Sequence, residues 1–347
     1  MTTADSAAAR DWTGVRLHVV TGKGGTGKTT VAGALAVALA GRAPARRRAA
    51  GPKRVPRVLL VEVEGRQGLA QLFDAPPLPY EERRIATVPG GGEVWALVID
   101  PEQALLEYLD MFYKLGPAAK ALKRFGAIDF ATTVAPGIRD VLLTGKTCEA
   151  VRRRATEEGR TFHYDAVVMD APPTGRITRF LNVNSEVSGL ARIGPIHNQA
   201  DAVMRVLTSA QTAVHIVTLL EEMPVQETLD GIEELRGAGL PVGGIMVNQA
   251  RDVVLTDAQL KRAAGEGVDR AELAAGLAEV RLDRPSVVDA LALLATEHAR
   301  RVLLEQQQRE ALSDCEAPLY ELPLLLEGVD RVGLDRLAAA LRRQGAA

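Results

Sequence analysis

One glycine-rich stretch near the start of the chain restricts the possible folds more than any other feature. Residues 15–30 read Val-Arg-Leu-His-Val-Val-Thr-Gly-Lys-Gly-Gly-Thr-Gly-Lys-Thr-Thr. The largely apolar run at 15–20 is typical of a buried strand, and an alanine-rich helical pattern follows over 29–40. The stretch fits the phosphate-binding pattern G-x-x-x-x-G-K-[ST], whose fixed positions are Gly22, Gly27, Lys28 and Thr29.

These residue types suit a nucleoside triphosphate with magnesium. Glycines let successive backbone N–H groups turn toward one anion, and the positive end of the following helix adds to the attraction. Lys28 can reach the β- and γ-phosphates, and the Thr29 hydroxyl can bind Mg²⁺. The alternative is a glycine-rich turn with an incidental lysine. The predicted nucleotide-binding residues are Gly24, Gly25, Thr26, Gly27, Lys28, Thr29 and Thr30.

Acidic side chains end two other apolar strand patterns. Glu62 and Glu64 end the run at 57–63, and Asp170 ends the run at 164–170. Ligands of open α/β sheets bind at the carboxyl ends of strands. We therefore predict that Asp170 holds Mg²⁺ through a water, and that the two glutamates position a water or a magnesium ligand. The alternatives are an acidic strand end facing solvent and an aspartate that only caps the next helix.

The pattern as a whole predicts one α/β domain over residues 15–345. Strand-like and helical runs alternate, which favours a single doubly wound, mainly parallel sheet with a helical subdomain. Residues 1–14 and the basic insert 41–56 are predicted to be disordered. The helix-rich segments at about 101–160 and 178–212 are predicted to carry a partner or client surface, although their Met, Phe and Tyr residues also suit a core. Residues 75–92 are predicted to form loops, and 256–312 to be helical.

Composition limits the class of partner. The chain is 47% hydrophobic and 25% charged, which is ordinary for a globular protein. A net charge of −2 gives no general reason to expect nucleic acid or an anionic membrane as a partner. Cys148 and Cys315 form no disulfide framework, and no signal-peptide or membrane-spanning pattern is present. We expect a cytoplasmic protein.

Lys23, directly after the first glycine of the loop, makes the stretch resemble the "deviant" P-loop of a superfamily of ATPases. That superfamily includes septum-site (MinD-type), partition (ParA-type), nitrogenase iron and arsenite-pump (ArsA-type) proteins. Residues 170–176, Asp-Ala-Pro-Pro-Thr-Gly-Arg, resemble the switch II sequence of the ArsA-type and tail-anchored-protein-targeting ATPases. Residues 99–108, 135–140, 247–249 and 322–325 are similar to that family as well, and the resemblance runs from about residue 15 to residue 341.

The resemblance implies a dimeric ATPase that uses ATP and Mg²⁺. Lys23 would reach across the dimer interface to the partner's nucleotide. The implied catalytic residues are Lys23, Lys28, Glu64 and Asp170. The implied adenine contacts are Asn248, Pro323 and Leu324. Adenine also suits the sequence itself, because Arg251 occupies the place of the acid in the guanine-reading Asn-Lys-x-Asp pattern.

The chain departs from this family in ways that bear on activity. Residues 62–67, Glu-Val-Glu-Gly-Arg-Gln, stand where the family has Ser-Thr-Asp-Pro-Ala-His in switch I. Glu64 thus replaces the aspartate that positions the attacking water, and a displacement of about one methylene can cost about 10²-fold in rate. The cysteine pair of the family's zinc clamp is missing after Gln249, so no zinc clamp is expected. Two cysteines also cannot supply three arsenite-binding thiols or the thiols of an iron–sulfur cluster.

The sequence therefore favours a dimer that binds and hydrolyses ATP and acts on an unidentified partner or client. Because of Glu64, hydrolysis is expected to be slow or to require a partner. The dimer is expected to be a homodimer or a heterodimer with a related ATPase subunit, and the client a membrane protein or another protein. One alternative is a nucleotide-gated binding subunit with little or no hydrolysis. Another is a MinD- or ParA-type positioning ATPase, with the final helix as an amphipathic membrane anchor.

Overall fold

The protein folds around one sheet with helices on both faces. The computed structural model describes residues 12, 14–42, 55–113, 136–156, 161–182 and 195–347. The strands are β1 (Leu17–Gly22), β2 (Arg57–Glu62), β3 (Arg83–Thr87), β4 (Glu93–Val98), β5 (Ala166–Asp170), β6 (Thr212–Thr218), β7 (Val242–Ala250) and β8 (Leu319–Pro323). The helices are α1 (Lys28–Ala40), α2 (Gly68–Leu72), α3 (Pro101–Tyr113), α4 (Pro136–Arg152), α5 (Thr174–Leu181), α6 (Pro195–Leu207), α7 (Glu222–Gly237), α8 (Asp257–Gly265), α9 (Arg270–Ala278), α10 (Pro285–Ser313) and α11 (Arg331–Arg343).

The strand order predicts where a ligand would bind, at the carboxyl ends of the central strands. The order is β3-β4-β2-β5-β1-β6-β7-β8, and every neighbouring pair is parallel except β3 with β4. The chain goes from β1 to β2 on one side and from β5 to β6 on the other, so the winding direction reverses around β1. Ligands bind at such a reversal point, beyond the carboxyl ends of the strands. The predicted single, mainly parallel sheet is confirmed.

Apolar packing fixes the elements around β1. Helix α1 is buried at every residue from Val31 to Ala40, because it lies between the sheet and α11. Leu334, Leu337 and Leu341 of α11 are buried in the same cluster. This final helix therefore packs on the domain, and its apolar face is not free to serve as the anchor of a positioning ATPase.

Three parts of the fold differ from the prediction. Residues 83–87, predicted to lie in a loop, form the antiparallel edge strand β3. The helical pattern over 256–312 is divided into α8, α9 and α10 by turns that place Gly267 at φ 86° and Arg281 at φ 60°. Trp12, inside the predicted disordered N-terminus, is only 3% exposed and donates from Nε1 to the Tyr320 hydroxyl at 2.9 Å.

Other predicted segments fall partly outside the described residues. Most of the basic insert, residues 43–54, lies outside them, as do 114–135, 157–160 and 183–194 of the helix-rich segments. Within the described parts of those segments, α3, α4, α5 and α6 are helical as predicted. Among the helices that the structure describes, none is long and apolar enough to span a bilayer.

Two stacked histidines lie in the core between β1, β6 and β7. His18 Nδ1 and His215 Nε2 are 3.0 Å apart, and His215 Nδ1 accepts from the Gly244 N–H at 3.0 Å. His215 therefore carries its proton on Nε2 and donates it to His18. Burial lowers the pKa of His215 to about 3. The pKa of His18 is lowered well below its usual value, mainly by burial and to a smaller extent by the nearby His215.

The buried histidines are expected to make the fold sensitive to mild acid. The unfolded chain takes up protons on both histidines as the pH falls below about 6.5, whereas the folded chain keeps them neutral. The free energy of unfolding therefore keeps its full value above that pH. Below that pH it falls by up to about 1.4 kcal/mol per pH unit for each histidine. Urea unfolding at several pH values between about 7.5 and 5 measures this loss of stability, because histidine titrates over roughly this range.

Histidine variants separate this effect from general acid destabilisation. His18→Gln is expected to remove close to one proton from the pH dependence of unfolding. His298→Gln, at a partly exposed position of α10, makes the same substitution outside the buried pair and serves as the matched control. An equal pH dependence in His18→Gln and the wild type would contradict the assignment.

Candidate functional site

The glycine-rich loop between β1 and α1 has the shape of a phosphate cradle. Gly25 and Gly27 have φ angles of 89° and 86°, which only glycine adopts without strain, and Gly27 stands at the N-terminus of α1. The Lys23 carbonyl accepts from the Thr26 hydroxyl at 2.9 Å and from Lys28 Nζ at 3.4 Å. The loop is therefore closed on itself, with the positive end of a 13-residue helix behind it.

Asn248, near the end of β7, holds the backbone of this loop through a hydrogen bond. Its Nδ2 donates to the Thr26 carbonyl at 2.9 Å, and the residue is only 7% exposed. A Cβ added to Gly27 would lie 2.4 Å from that Nδ2 atom. The nitrogen of this side-chain amide is thus engaged by the loop backbone, and the role in adenine reading that the resemblance implies for Asn248 stays a prediction.

The predicted adenine-flanking residues lie beside Asn248. The Leu324 N–H donates to the Ala250 carbonyl at 2.9 Å, which holds the segment after β8 against the end of β7. An open depression follows, lined by residues 324–328 and by the start of α11, including Val332 and Arg336. Leu324 and Pro323 therefore lie beside Ala250 at the end of β7, and their contact with adenine stays a prediction.

Thr29 and Asp170 meet at the mouth of the loop. The Thr29 hydroxyl donates to Asp170 Oδ2 at 2.6 Å, joining the first turn of α1 to the end of β5. Burial, with a smaller contribution from the neighbouring carboxylates of Glu62 and Glu64, outweighs the opposing effects of Thr29 and Lys28 and raises the pKa of Asp170 to about 6. Burial likewise lowers the pKa of Lys28. The structure thus brings together the predicted lysine, hydroxyl and aspartate.

The two glutamates of residues 62–67 have different surroundings. Glu62 is 2% exposed and pairs in register with Asp170, so their side chains leave neighbouring strands at the same level. Its Oε2 accepts from the Leu69 N–H at 3.0 Å, while Oε1 is buried with no partner among the described residues. Glu64 is partly exposed and lies 3.4 Å from Arg66. The two acids, which were predicted together to position a water or a magnesium ligand, therefore differ in burial and in partners.

A magnesium ion fits this arrangement. An unpartnered buried carboxylate oxygen beside a hydroxyl and a second carboxylate is the hard-oxygen environment that Mg²⁺ prefers. No three His, Cys, Asp or Glu side chains in the described ranges are grouped to hold a metal alone. A magnesium site here would accordingly use the Thr29 hydroxyl, water and the phosphates, with the carboxylates in support.

Lys23 does not face its own cradle. Its Nζ lies 2.6 Å from Glu227 Oε1 on α7. The backbone of Lys23 belongs to the loop, while its side chain leaves the loop toward a neighbouring helix. Sequence reasoning singled out the lysine but missed its partner, because nothing in the pattern of α7 marks Glu227.

A chain of polar contacts connects residues 62–67 to the helix-rich segment. Gln67 clamps the backbone of Leu78, donating to its carbonyl at 3.0 Å and accepting from its N–H at 2.8 Å. Two residues later, the Tyr80 hydroxyl donates to Glu107 of α3 at 2.8 Å, and Lys146 of α4 donates to the same carboxylate at 2.8 Å. Sequence reasoning missed these residues, whose partners are distant in the chain.

The fold and this site define a P-loop protein built to bind a nucleoside triphosphate. A family model described as Anion-transporting ATPase matches residues 15–210, more than half of the chain. The chain belongs to this ArsA ATPase family, which confirms the resemblance predicted from the sequence.

Individual relatives agree with the family. The chain is 50% identical to the ATPase BagA of Mycobacterium tuberculosis, over 99% of this chain and 98% of that protein. It is 25% identical to the arsenical pump-driving ATPase of Acidiphilium multivorum, over 92% of this chain and 48% of that protein. It is 24% identical to the ATPase GET3 of Kluyveromyces lactis, over 66% of this chain and 70% of that protein.

Proposed function

We propose that this protein binds ATP with Mg²⁺ and hydrolyses it as a dimer whose opening and closing act on a partner or client protein. The hydrogen bond of 2.6 Å between Thr29 and Asp170, at the mouth of the cradle, is the observation that carries the proposal. It joins the helix that would bind the phosphates to the strand that leads into residues 170–176. Binding or loss of the γ-phosphate can therefore change the position of both α1 and residues 170–176.

Each residue of the site has a part in this proposal. The backbone N–H groups of residues 24–27 and the Lys28 ammonium hold the phosphates, while Asn248 keeps the loop in shape from below. Mg²⁺ would be held by the Thr29 hydroxyl, with Asp170 in support through water, and would neutralise phosphate charge. Burial and the neighbouring carboxylates disfavour the charged form of Asp170, and a bound cation would offset this negative charge.

Glu64 is proposed to position the attacking water. It is the more exposed of the two acids, and its carboxylate is near enough to affect the pKa values of Lys28 and Asp170. In this proposal Glu64 contacts a water at the γ-phosphate while Glu62 stays anchored to Leu69. Its side chain is one methylene longer than the family's aspartate, so we expect slow hydrolysis or hydrolysis that depends on a partner.

Lys23 is proposed to act on the nucleotide of a second subunit, either another copy of this chain or a related ATPase. Lys23→Ala is therefore expected to leave ATP binding within about twofold of the wild type and to lower kcat at least tenfold, since a cation supplied from a partner can contribute 10³-fold or more. Binding of a fluorescent ATP analogue and steady-state hydrolysis measure the two effects. Lys261→Ala, at an exposed position of α8, is the matched control. An unchanged kcat in Lys23→Ala would remove the proposed role.

The second candidate function is a nucleotide-gated binding subunit with little or no hydrolysis. The contact of 3.4 Å between Glu64 and Arg66 favours it, because a carboxylate held by an arginine is less available to position a water. ATP binding without turnover, with and without a related subunit, would support this candidate. Anion pumping gains no support from the thiols, because Cys148 is buried and Cys315 lies apart from the nucleotide loop, beyond the end of α10.

A further inference from the structure

The ion pair between Lys23 and Glu227 joins the loop that would bind phosphate to the surface of α7. The two charged atoms are 2.6 Å apart, and the side chains are 31% and 37% exposed. The Lys23 carbonyl is held inside the loop by the Thr26 hydroxyl at 2.9 Å. Only the flexible side chain of Lys23 is therefore free to take another position.

Glu227 is held in place by the packing of its helix. Its neighbours Val225 and Thr228 are buried, and α7 contacts β1, β6 and β7 as well as α5. A Cβ added to Gly231, one turn further along α7, would lie 3.5 Å from the Thr174 methyl group at the start of α5. The backbone that carries Glu227 is thus held beside the loop, on a helix that also packs on the segment after Asp170.

The pair is suited to being broken. An ion pair at a partly exposed position contributes little, equivalent to roughly a two- to fivefold change in an equilibrium. The charge of a triphosphate in a neighbouring site, largely removed from water by subunit closure, attracts a lysine more strongly than a solvated carboxylate does. Lys23 can consequently rest on Glu227 in a single subunit and leave it when a more strongly charged partner arrives.

We propose that Glu227 is a positioning residue that holds Lys23 within its own subunit until ATP-dependent association draws the lysine to the partner's nucleotide. The inference rests on the proposed cross-subunit role of Lys23. Glu227 would then set the threshold for association, because every closing event must first separate this pair. The residue acts through Lys23 and does not itself touch the nucleotide.

The first test concerns the nucleotide-free protein alone. Acylation of individual lysines by a small N-hydroxysuccinimide ester, followed by mass spectrometry, measures how accessible each amine is. Glu227→Gln is expected to increase the rate at Lys23 about two- to fivefold and to leave Lys261 unchanged. Glu233→Gln, which makes the same charge change at an exposed position of α7, is the matched control. Equal rates at Lys23 in Glu227→Gln and the wild type would overturn the proposal.

The second test measures association. With a non-hydrolysable ATP analogue and Mg²⁺, analytical ultracentrifugation of Glu227→Gln is expected to show association at a protein concentration about two- to fivefold lower than for the wild type. The effect must disappear when Lys23 is also replaced by alanine, and its persistence there would contradict a role through Lys23. Glu227→Asp, which keeps the charge, is expected to restore most of the wild-type threshold and guards against a general loss of structure.

The outcomes distinguish this proposal from the proposed function. A wild-type protein that does not associate with nucleotide would contradict the dimer, while the acylation rates would still decide whether Glu227 holds Lys23. A wild-type protein that does associate, with the same threshold and acylation rate as Glu227→Gln, would contradict the role of Glu227 alone.

Discussion

Lys28→Ala is expected to lower kcat/KM for ATP at least about 10²-fold and to weaken ATP binding to the detection limit, because the cradle then lacks its cation for the β- and γ-phosphates. Lys28 Nζ donates to the Lys23 carbonyl across the loop at 3.4 Å, and its charge lies near Asp170 and Glu64. The alanine variant leaves these two carboxylates facing incoming phosphates without compensation. Isothermal titration with a non-hydrolysable ATP analogue measures the loss.

The Lys28 result depends on an intact fold, so thermal unfolding of the variant is measured alongside. Lys146→Ala provides a comparison at a lysine whose described partner, Glu107, lies in the helix-rich segment and not in the loop. It is expected to retain ATP binding. ATP affinity preserved in a folded Lys28→Ala protein would contradict the assignment of the loop.

Asp170→Asn is expected to lower magnesium-dependent hydrolysis about 10²-fold, an effect of the size seen when one charge-stabilising group is lost from a preorganised site. Asparagine retains an oxygen that can accept from the Thr29 hydroxyl, now 2.6 Å from Asp170 Oδ2, but loses the negative charge. The variant therefore separates charge from hydrogen bonding. Hydrolysis measured against Mg²⁺ concentration, with Mn²⁺ binding followed by electron paramagnetic resonance, reports both activity and metal affinity.

The matched control for Asp170 is Asp165→Asn, at the opposite end of the same strand. Asp165 precedes β5 and accepts from the Arg57 N–H at 2.8 Å, far along the strand from the cradle. This variant is expected to keep wild-type magnesium dependence. Equal magnesium dependence in Asp170→Asn and the wild type would show that Asp170 has no part in holding the metal.

Local sequence signals were sufficient to predict the centre of the site. The strand, glycine turn and helix around Lys28 are contiguous, and each local pattern agrees with the parallel sheet. Asp170 could be placed because parallel strands all end at one edge, so an acid at the end of β5 must lie near a loop at the end of β1. These features follow from backbone geometry.

Features that depend on distant partners could not be predicted in this way. The edge strand β3 buries only Ala86 well, so its apolar pattern is too weak to separate it from a loop. Trp12 finds Tyr320 near the other end of the chain. The different environments of Glu62 and Glu64 arise because the Leu69 N–H captures the first of them, a contact that depends on how α2 folds back.

The side-chain partners of the loop were missed for the same reason. The family resemblance implies an adenine contact for Asn248, but the bond from its Nδ2 to the Thr26 carbonyl could not be predicted. Glu227 lies on a helix whose charged residues resemble any solvated face, and only the fold brings it to Lys23. Sequence spacing can predict that a site lies at the carboxyl ends of the strands, but it does not predict the rotamers and contacts of its side chains.

Steady-state ATP hydrolysis by the wild type and by Glu64→Gln, with Glu310→Gln of α10 as an exposed control, tests the central claim most directly. We expect measurable hydrolysis by the wild type and the control. Turnover by Glu64→Gln is expected to be about 10²-fold lower with ATP binding unchanged, because its amide cannot act as a base for water. A wild-type protein that binds ATP and never hydrolyses it, alone or with a related subunit, would contradict the claim that this protein is an enzyme.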